Sequence, residues 1–357
     1  MLASAGGDGT VRLWDPRSEK PRRRPLTGHS GRVNALAFGV DGAGHPVLAS
    51  AGDDGKVRLW DPDRAPSPRR PETEHTGEGS AVAFGVDKAG QSVLASASGL
   101  TVRLWNPDTG QPRGNAKTDW RAVAGVAFGR RRRRWFHVRR DWPGYPLLAI
   151  ASTSSIKLSD PITGVPRGAS SVDGDANLVR AVAFGIDRAE RPVLAIAVDD
   201  GTVRLWDPDR VRPRGRPLTG HIGRVNAVAF GVDGAGQPVL ASAGDDGTVR
   251  LWDPGTGEPR GRPLTGHSGR VNAVAFGVDR AGHPVLATAG DDGTMRLWDR
   301  DTETCLIQRR TAAIALASRG DCYAIADKEG ISVIGELPCP HASGRLEASA
   351  RNHQWDS

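Results

Sequence analysis

Apolar positions along this chain fall in short clusters separated by polar, Gly- and Pro-rich breaks, and the same order of clusters returns repeatedly. The unit is clearest at Pro213–Asp253 and again at Pro259–Asp299, two 41-residue windows that differ at five positions. PRGRPLTGH opens the unit as a polar edge strand, because proline lacks the ladder donor and is tolerated at sheet edges. VNAVAFG is a compact apolar run of small and β-branched residues, suited to a strand buried on both faces. GVDGAGQP is a hairpin turn whose Asp-Gly and Gly supply positive-φ positions. VLASAG and TVRLWD are two further strands joined by a tight GDDG turn, and D-P-x-T-G after the Trp marks the next turn.

The period is carried by Trp14, Trp60, Trp105, Trp206, Trp252 and Trp298, at intervals of 46, 45, 101, 46 and 46 residues. The long interval holds a degenerate copy. Four short antiparallel strands per unit at such a period describe an all-β propeller, in which each unit buries its apolar face only against its neighbours.

The Gly-His and Trp-Asp dipeptides and their spacing resemble the WD-repeat family, over residues 1 to about 336, with highly similar tandem copies of a bacterial type. In that family a sequence repeat supplies the outer strand of one blade and the inner three of the next. Innermost strands are then expected at 33–39, 80–85, 122–128, 178–185, 225–231, 271–277 and 312–317, giving seven blades of four strands. The last unit has no Trp and is followed by Pro338 and Pro340, so it lacks an outer strand, which Arg22–Thr27 would supply to close the ring. The alternative is eight blades with the first and last incomplete. On the preferred reading residues 1–20 are a remnant of an upstream blade, 21–336 form the propeller and 337–357 are a disordered polar tail. The mid-repeat opening suggests a piece of a longer protein.

The resemblance also implies a structural tetrad: His29, Ser50, Asp54 and Trp60; His221, Ser242, Asp246 and Trp252; His267, Thr288, Asp292 and Trp298. A buried indole N–H needs an acceptor, and Ser or Thr can receive it while donating onward to His, with Asp fixing the imidazole. A Ser–His–Asp set also invites a nucleophile reading. Here it recurs per unit with no oxyanion donor or nucleophile elbow, so the expectation is structural and the protein is not read as an enzyme. The sets decay in the middle of the chain. His75 and Ser96 remain beside Trp105, but the turn is shortened to SGL. The next unit carries Asp119, Ile150 and Ser159 at the His, Ser and Trp positions, and the one after it Asp175 and Ile196 but Asp200 and Trp206. Drift and a specialised face are both open readings.

Composition adds charge. The net charge is +7, which favours anionic partners without naming one, and only six of the 48 basic residues are Lys. The three cysteines lie in the last sixth of the chain without C-x-x-C spacing, which reads as reduced thiols and a cytoplasmic location, with no metal site and no cofactor. No run of 18 apolar residues is present, so no membrane span is expected.

Two candidate partner surfaces follow. The Arg/aromatic stretch Gly129–Pro146 is ten residues longer than the corresponding turn elsewhere and holds seven Arg. Its Arg131, Arg132, Arg133, Trp135, Phe136, Arg139, Arg140 and Trp142 suit stacking on bases with phosphate pairing, and it is expected on the face opposite the tetrad His and Asp. A solvated charge run or a local frame slip would look the same. On the other face, Arg32, Arg180, Arg224 and Arg270 border the innermost strands, a basic rim suited to acidic protein segments. The functional expectation is a non-catalytic protein–protein interaction scaffold or sensor/docking module of a larger regulatory protein. The alternative is a nucleic-acid-binding propeller acting through 129–146. Oligomeric state is left open.

Overall fold

The computed structural model describes residues 2–6, 9–14, 25–62, 69–75, 77, 79–117, 122–131, 145–161, 163, 165–171, 178–278, 284–299, 305–310, 313–319 and 322–327. These contain strands and turns and no helix. They form seven sheets, six of four strands and one of three. Six follow the chain as 33–74, 79–117, 123–171, 179–213, 225–252 and 271–310, and the seventh joins 2–14 to 313–327. The three-stranded sheet has its fourth place marked by the bridges Val249↔Leu264 and Trp252↔Pro259. Each innermost strand packs beside the next, and Ala313–Arg319 packs beside Val33–Val40, so the sheets close into a ring. The fold is a β-propeller.

Alternation explains the packing. In Pro46–Gly52 the small side chains Val47, Ala49 and Ala51 face one neighbour, where Leu94 and Trp105 of the following sheet fill the space they leave. Leu48 and Ser50 point the other way, so the strand is buried on both faces, as the unbroken apolar run requires. The same small-against-large contact recurs between the 179–213 and 225–252 sheets and between 225–252 and 271–310. The A-F-G triplet locks the innermost layer. A Cβ added at Gly39 would lie 2.2 Å from the Phe84 ring, and Gly85/Phe128, Gly129/Phe184, Gly185/Phe230 and Gly231/Phe276 repeat the contact at 2.1–2.3 Å. Only glycine lets the adjoining Phe approach so closely.

The closing sheet differs from the sequence expectation. Arg22–Thr27 was expected to pair directly with the last unit, with residues 1–20 outside the ring. Instead the order is Val11–Trp14, Leu2–Gly6, Cys322–Asp327, Ala313–Arg319, and Leu26 bridges Val11. Leu2–Gly6 runs parallel to Cys322–Asp327, from Ala3↔Ala324 to Gly6↔Asp327, whereas the other strand pairs of the seven sheets are antiparallel. The physical reason lies in the edges: the 2–14 hairpin and the last hairpin each present an unpaired strand edge, and pairing them satisfies both rows of backbone groups. Residues 328–357, with the expected polar tail, lie outside the described residues.

Candidate functional site

The tetrads assemble as the sequence implies. Trp60 Nε1 donates to Ser50 Oγ at 2.8 Å, Ser50 Oγ lies 2.8 Å from His29 Nε2, and His29 Nδ1 lies 2.9 Å from Asp54 Oδ1. Because the hydroxyl accepts from the indole, its own proton goes to Nε2, which leaves Nδ1–H to donate to the carboxylate. His221 with Asp246, Ser242 and Trp252, and His267 with Asp292, Thr288 and Trp298, repeat the chain at 2.8–3.1 Å. Burial works to raise the Asp54 carboxyl, but hydrogen bonds from His29 and Arg58 outweigh it and hold it at about 2. Burial lowers His221 and His267, against the opposing pull of Asp246 and Asp292. Ser50, Ser242 and Thr288 are fully buried, so these sets are closed to substrate.

The decayed units leave polar atoms without partners. His75 keeps Ser96 at 2.7 Å, but the shortened turn removes the carboxylate and its Nδ1 has no hydrogen-bond partner among the described residues. Burial, reinforced by the charge of Arg103, lowers its imidazole to about 4. With Ile196 in place of Ser, the buried Trp206 Nε1 is likewise unpartnered. Asp200 turns to Thr202 and Arg204. Asp119 and Asp175 lie outside the described residues.

The His–Asp contacts place the loops entering the innermost strands and the second-to-third-strand turns on one face. There the rim Arg are interleaved with carboxylates. Arg180 forks onto Asp199, with Nη2 at 3.2 Å, Arg224 lies 3.9 Å from Asp199, and Arg270 lies 3.7 Å from Asp245. Asn34, Asn226 and Asn272 donate to Asp53, Asp245 and Asp291 at 2.6–2.9 Å. Arg32 is exposed on the same rim. The rim is therefore charge-balanced rather than uniformly basic, because each D-D-G turn contributes its first Asp beside its own or the next sheet's innermost strand.

Between the 123–171 and 179–213 sheets this polar set is gone. Ala122 and Leu178 stand where Arg224 and Arg270 stand elsewhere, Ala124 where Asn226 stands, and Thr153 where Asp245 stands. These four, with Val123, Val179 and Arg180, line an open cavity of about 250 Å³. Leu178 is 39% exposed, and Leu100 (53%) and Ile222 (82%) add exposed apolar side chains on loops of the same face. The structure thus gathers only Arg180 of the predicted rim residues at the cavity, and its apolar lining was not anticipated as a site. The signal was present as departures from the repeat at fixed register positions.

On the opposite face a second recurring device also went unread. The turn Asp of V-D-x-A-G, or of I-D-R-A-E at Asp187, accepts backbone N–H groups two and four residues on, and an Arg 26 or 27 residues later reaches it: Arg113 to Asp87 at 3.0 Å, Arg260 to Asp233 at 2.8 Å, and Arg214 to Asp187. Burial raises the Asp187 carboxyl, but Arg214 and the Arg191 bonds hold it at about 2.

The Arg-rich insertion begins where the expected turn should: the 123–131 strand pairs with 145–152 out to Arg131↔Tyr145. Arg132, Arg133, Trp135, Phe136, Arg139, Arg140 and Trp142 lie outside the described residues, as does the Arg131 side chain. Among the described residues no group of three His, Cys, Asp or Glu is placed to hold a metal ion, and no helix is long and apolar enough to cross a membrane.

The family described as "WD domain, G-beta repeat" matches residues 1–15, 20–61, 213–253 and 258–299. The crystal structure of the computationally designed Ika8 protein superposes with a TM-score of 0.66 over 92% of this chain and 90% of that one, at 22% identity, a likeness of fold. A search of curated proteins returns no match.

Proposed function

We propose that the chain, four segments of which match the WD-repeat family, whose repeats generally mediate protein–protein interaction, is a non-catalytic docking module that holds a protein partner on the tetrad-loop face, over the 123–171 and 179–213 sheets. The observation that carries this is the change of rim chemistry: where repeat-consensus positions hold Arg, Asn and Asp, this sector holds Ala122, Ala124, Thr153 and Leu178 around a cavity of about 250 Å³. Exposed apolar side chains gathered on one surface are a feature of interaction sites. A bulky apolar side chain of the partner fills the cavity, beside the Arg180–Asp199 ion pair at its edge. The module serves within a larger regulatory protein in the cytoplasm, a reading in keeping with three cysteines that carry no C-x-x-C spacing.

The test is selection from a displayed peptide library against the full chain, followed by binding to Leu178→Asp. Selected peptides should share an apolar anchor and lose at least tenfold in affinity on that variant, while Arg32→Ala leaves binding unchanged. Peptides that bind Leu178→Asp as well as the parent chain refute the site.

A further inference from the structure

The 79–117 unit keeps three members of a tetrad and has lost the fourth. In the 33–74 sheet the Asp54 carboxylate meets His29 Nδ1 at 2.9 Å and Arg58 Nη1 at 2.8 Å, and accepts the backbone N–H groups of Ser30 and Lys56 at 3.1 Å. In the 79–117 sheet the corresponding turn reads SGL, one residue shorter and without an acid. The strands on either side of it hold their places. Ser96 lies opposite Arg103 and Leu94 opposite Trp105, as Ser50 lies opposite Arg58 and Leu48 opposite Trp60.

The side chains that serve the carboxylate elsewhere are still present. Trp105 Nε1 donates to Ser96 Oγ at 2.8 Å, and Ser96 Oγ lies 2.7 Å from His75 Nε2. The hydroxyl proton therefore goes to Nε2, and Nδ1 carries the imidazole proton. Burial, and after it the charge of Arg103, hold that imidazole neutral. His75 is 8% exposed, and its Nδ1 has no hydrogen-bond partner among the described residues. Ser98, in the register place of Gly52, turns its hydroxyl to the Gly77 carbonyl instead. A buried N–H without an acceptor raises the energy of the fold, and a group that satisfies it recovers that energy as affinity. The turn itself is open to solvent: Leu100 is 53% exposed, and a Cβ added at Gly99 meets no atom within 4 Å.

We propose that the 79–117 unit binds a carboxylate supplied from outside the chain, held between His75 Nδ1–H and the Arg103 guanidinium in the place that Asp54 takes in the 33–74 sheet. The donors set the ligand class, because an imidazole N–H beside a guanidinium suits the paired oxygens of an anion. The missing group is one Asp side chain, so acetate, which is that side chain detached from its backbone, is the probe. The site uses none of the residues that line the rim cavity and does not depend on what fills it.

The test titrates sodium acetate into the full chain carrying isotope-labelled histidine, at neutral pH and with sodium chloride holding the ionic strength constant. The ring resonances of His75, identified by their loss in His75→Gln, should move saturably. Those of His29, His221 and His267, whose Nδ1 already meets an Asp, should stay in place. Arg103→Gln should weaken binding about tenfold, and uncharged acetamide should leave His75 unmoved. Replacing Ser98–Leu100 with Gly-Asp-Asp-Gly supplies the chain's own carboxylate and should abolish the response. The melting midpoint should rise with acetate in the parent chain and not in that variant. An acetyl-Gly-Asp-Gly-amide peptide that saturates below acetate assigns the site to a carboxylate side chain of a partner protein, and one that saturates above it assigns the site to a free small acid. Absence of a saturable shift at His75, equal shifts at the other three histidines, or an unchanged response in Arg103→Gln overturns the proposal.

Discussion

Replacing Ser242 with Ala isolates the energy of one tetrad. The hydroxyl is fully buried, accepts from Trp252 Nε1 at 2.8 Å and lies 2.8 Å from His221 Nε2. Ala nearly preserves the volume, so the cost is electrostatic: a buried indole N–H and an imidazole nitrogen both lose their partners. Each orphaned group costs about 1–3 kcal/mol. His221 keeps Asp246 and so retains part of its anchoring, which puts the total at roughly 2–4 kcal/mol. At about 2 °C per kcal/mol for a chain of this size, the midpoint falls by about 4–8 °C. Differential scanning calorimetry at neutral pH measures this, and near-UV circular dichroism follows the Trp environment. Trp252→Phe in both backgrounds completes the test: with the donor already removed, Ser242→Ala should cost about 1–3 kcal/mol less. A midpoint unmoved by Ser242→Ala, or strictly additive substitutions, would refute the claim that the hydroxyl joins indole to imidazole.

Three further outcomes follow. Ile196 and Ile150 occupy the Ser242 position in their sheets, but only Ile196 pairs with a sheet containing an orphaned indole, that of Trp206. Ile196→Ser should therefore destabilise by about 1–3 kcal/mol less than Ile150→Ser, and equal losses by chemical denaturation would count against the orphan. His75 sits at about 4 when folded against 6.5 ordinarily, so only the unfolded chain takes up this proton as the pH falls. The stability it contributes is complete above about pH 6.5 and is lost between there and 4, roughly 3 kcal/mol as an upper value. His75→Gln should flatten the midpoint-against-pH curve in that window, and an unchanged slope would exclude His75 as the source. Gly231→Ala places a Cβ 2.1 Å from Phe276 Cγ and should cost about 1–3 kcal/mol by overpacking, with Phe276→Ala relieving the clash when the two are combined.

What the sequence shows and what it conceals divide along the range of the interaction. The tetrads were legible because His, Ser, Asp and Trp stand at fixed offsets within one unit, and the strands because alternation and turn residues are local. The closing sheet was not, since Leu2–Gly6 and Cys322–Asp327 both carry second-strand patterns and nothing local decides which takes the place. The rim was read as basic because Arg224 and Arg270 were counted without Asp199 and Asp245, which the preceding sheet brings to them. The cavity was hidden for a related reason: Ala122, Ala124, Thr153 and Leu178 belong to two units, and only their juxtaposition makes a surface.

The Phe-to-Gly contact bears on how such a chain grows. Each unit carries a key, its Phe, and a keyhole, its Gly, two residues that are adjacent in sequence but engage opposite neighbours. A copied unit therefore arrives able to dock on either side, with no compensating change in the units that receive it. That modularity lets near-identical copies such as 213–253 and 259–299 stand side by side, and it means that the ring is altered most readily in whole units.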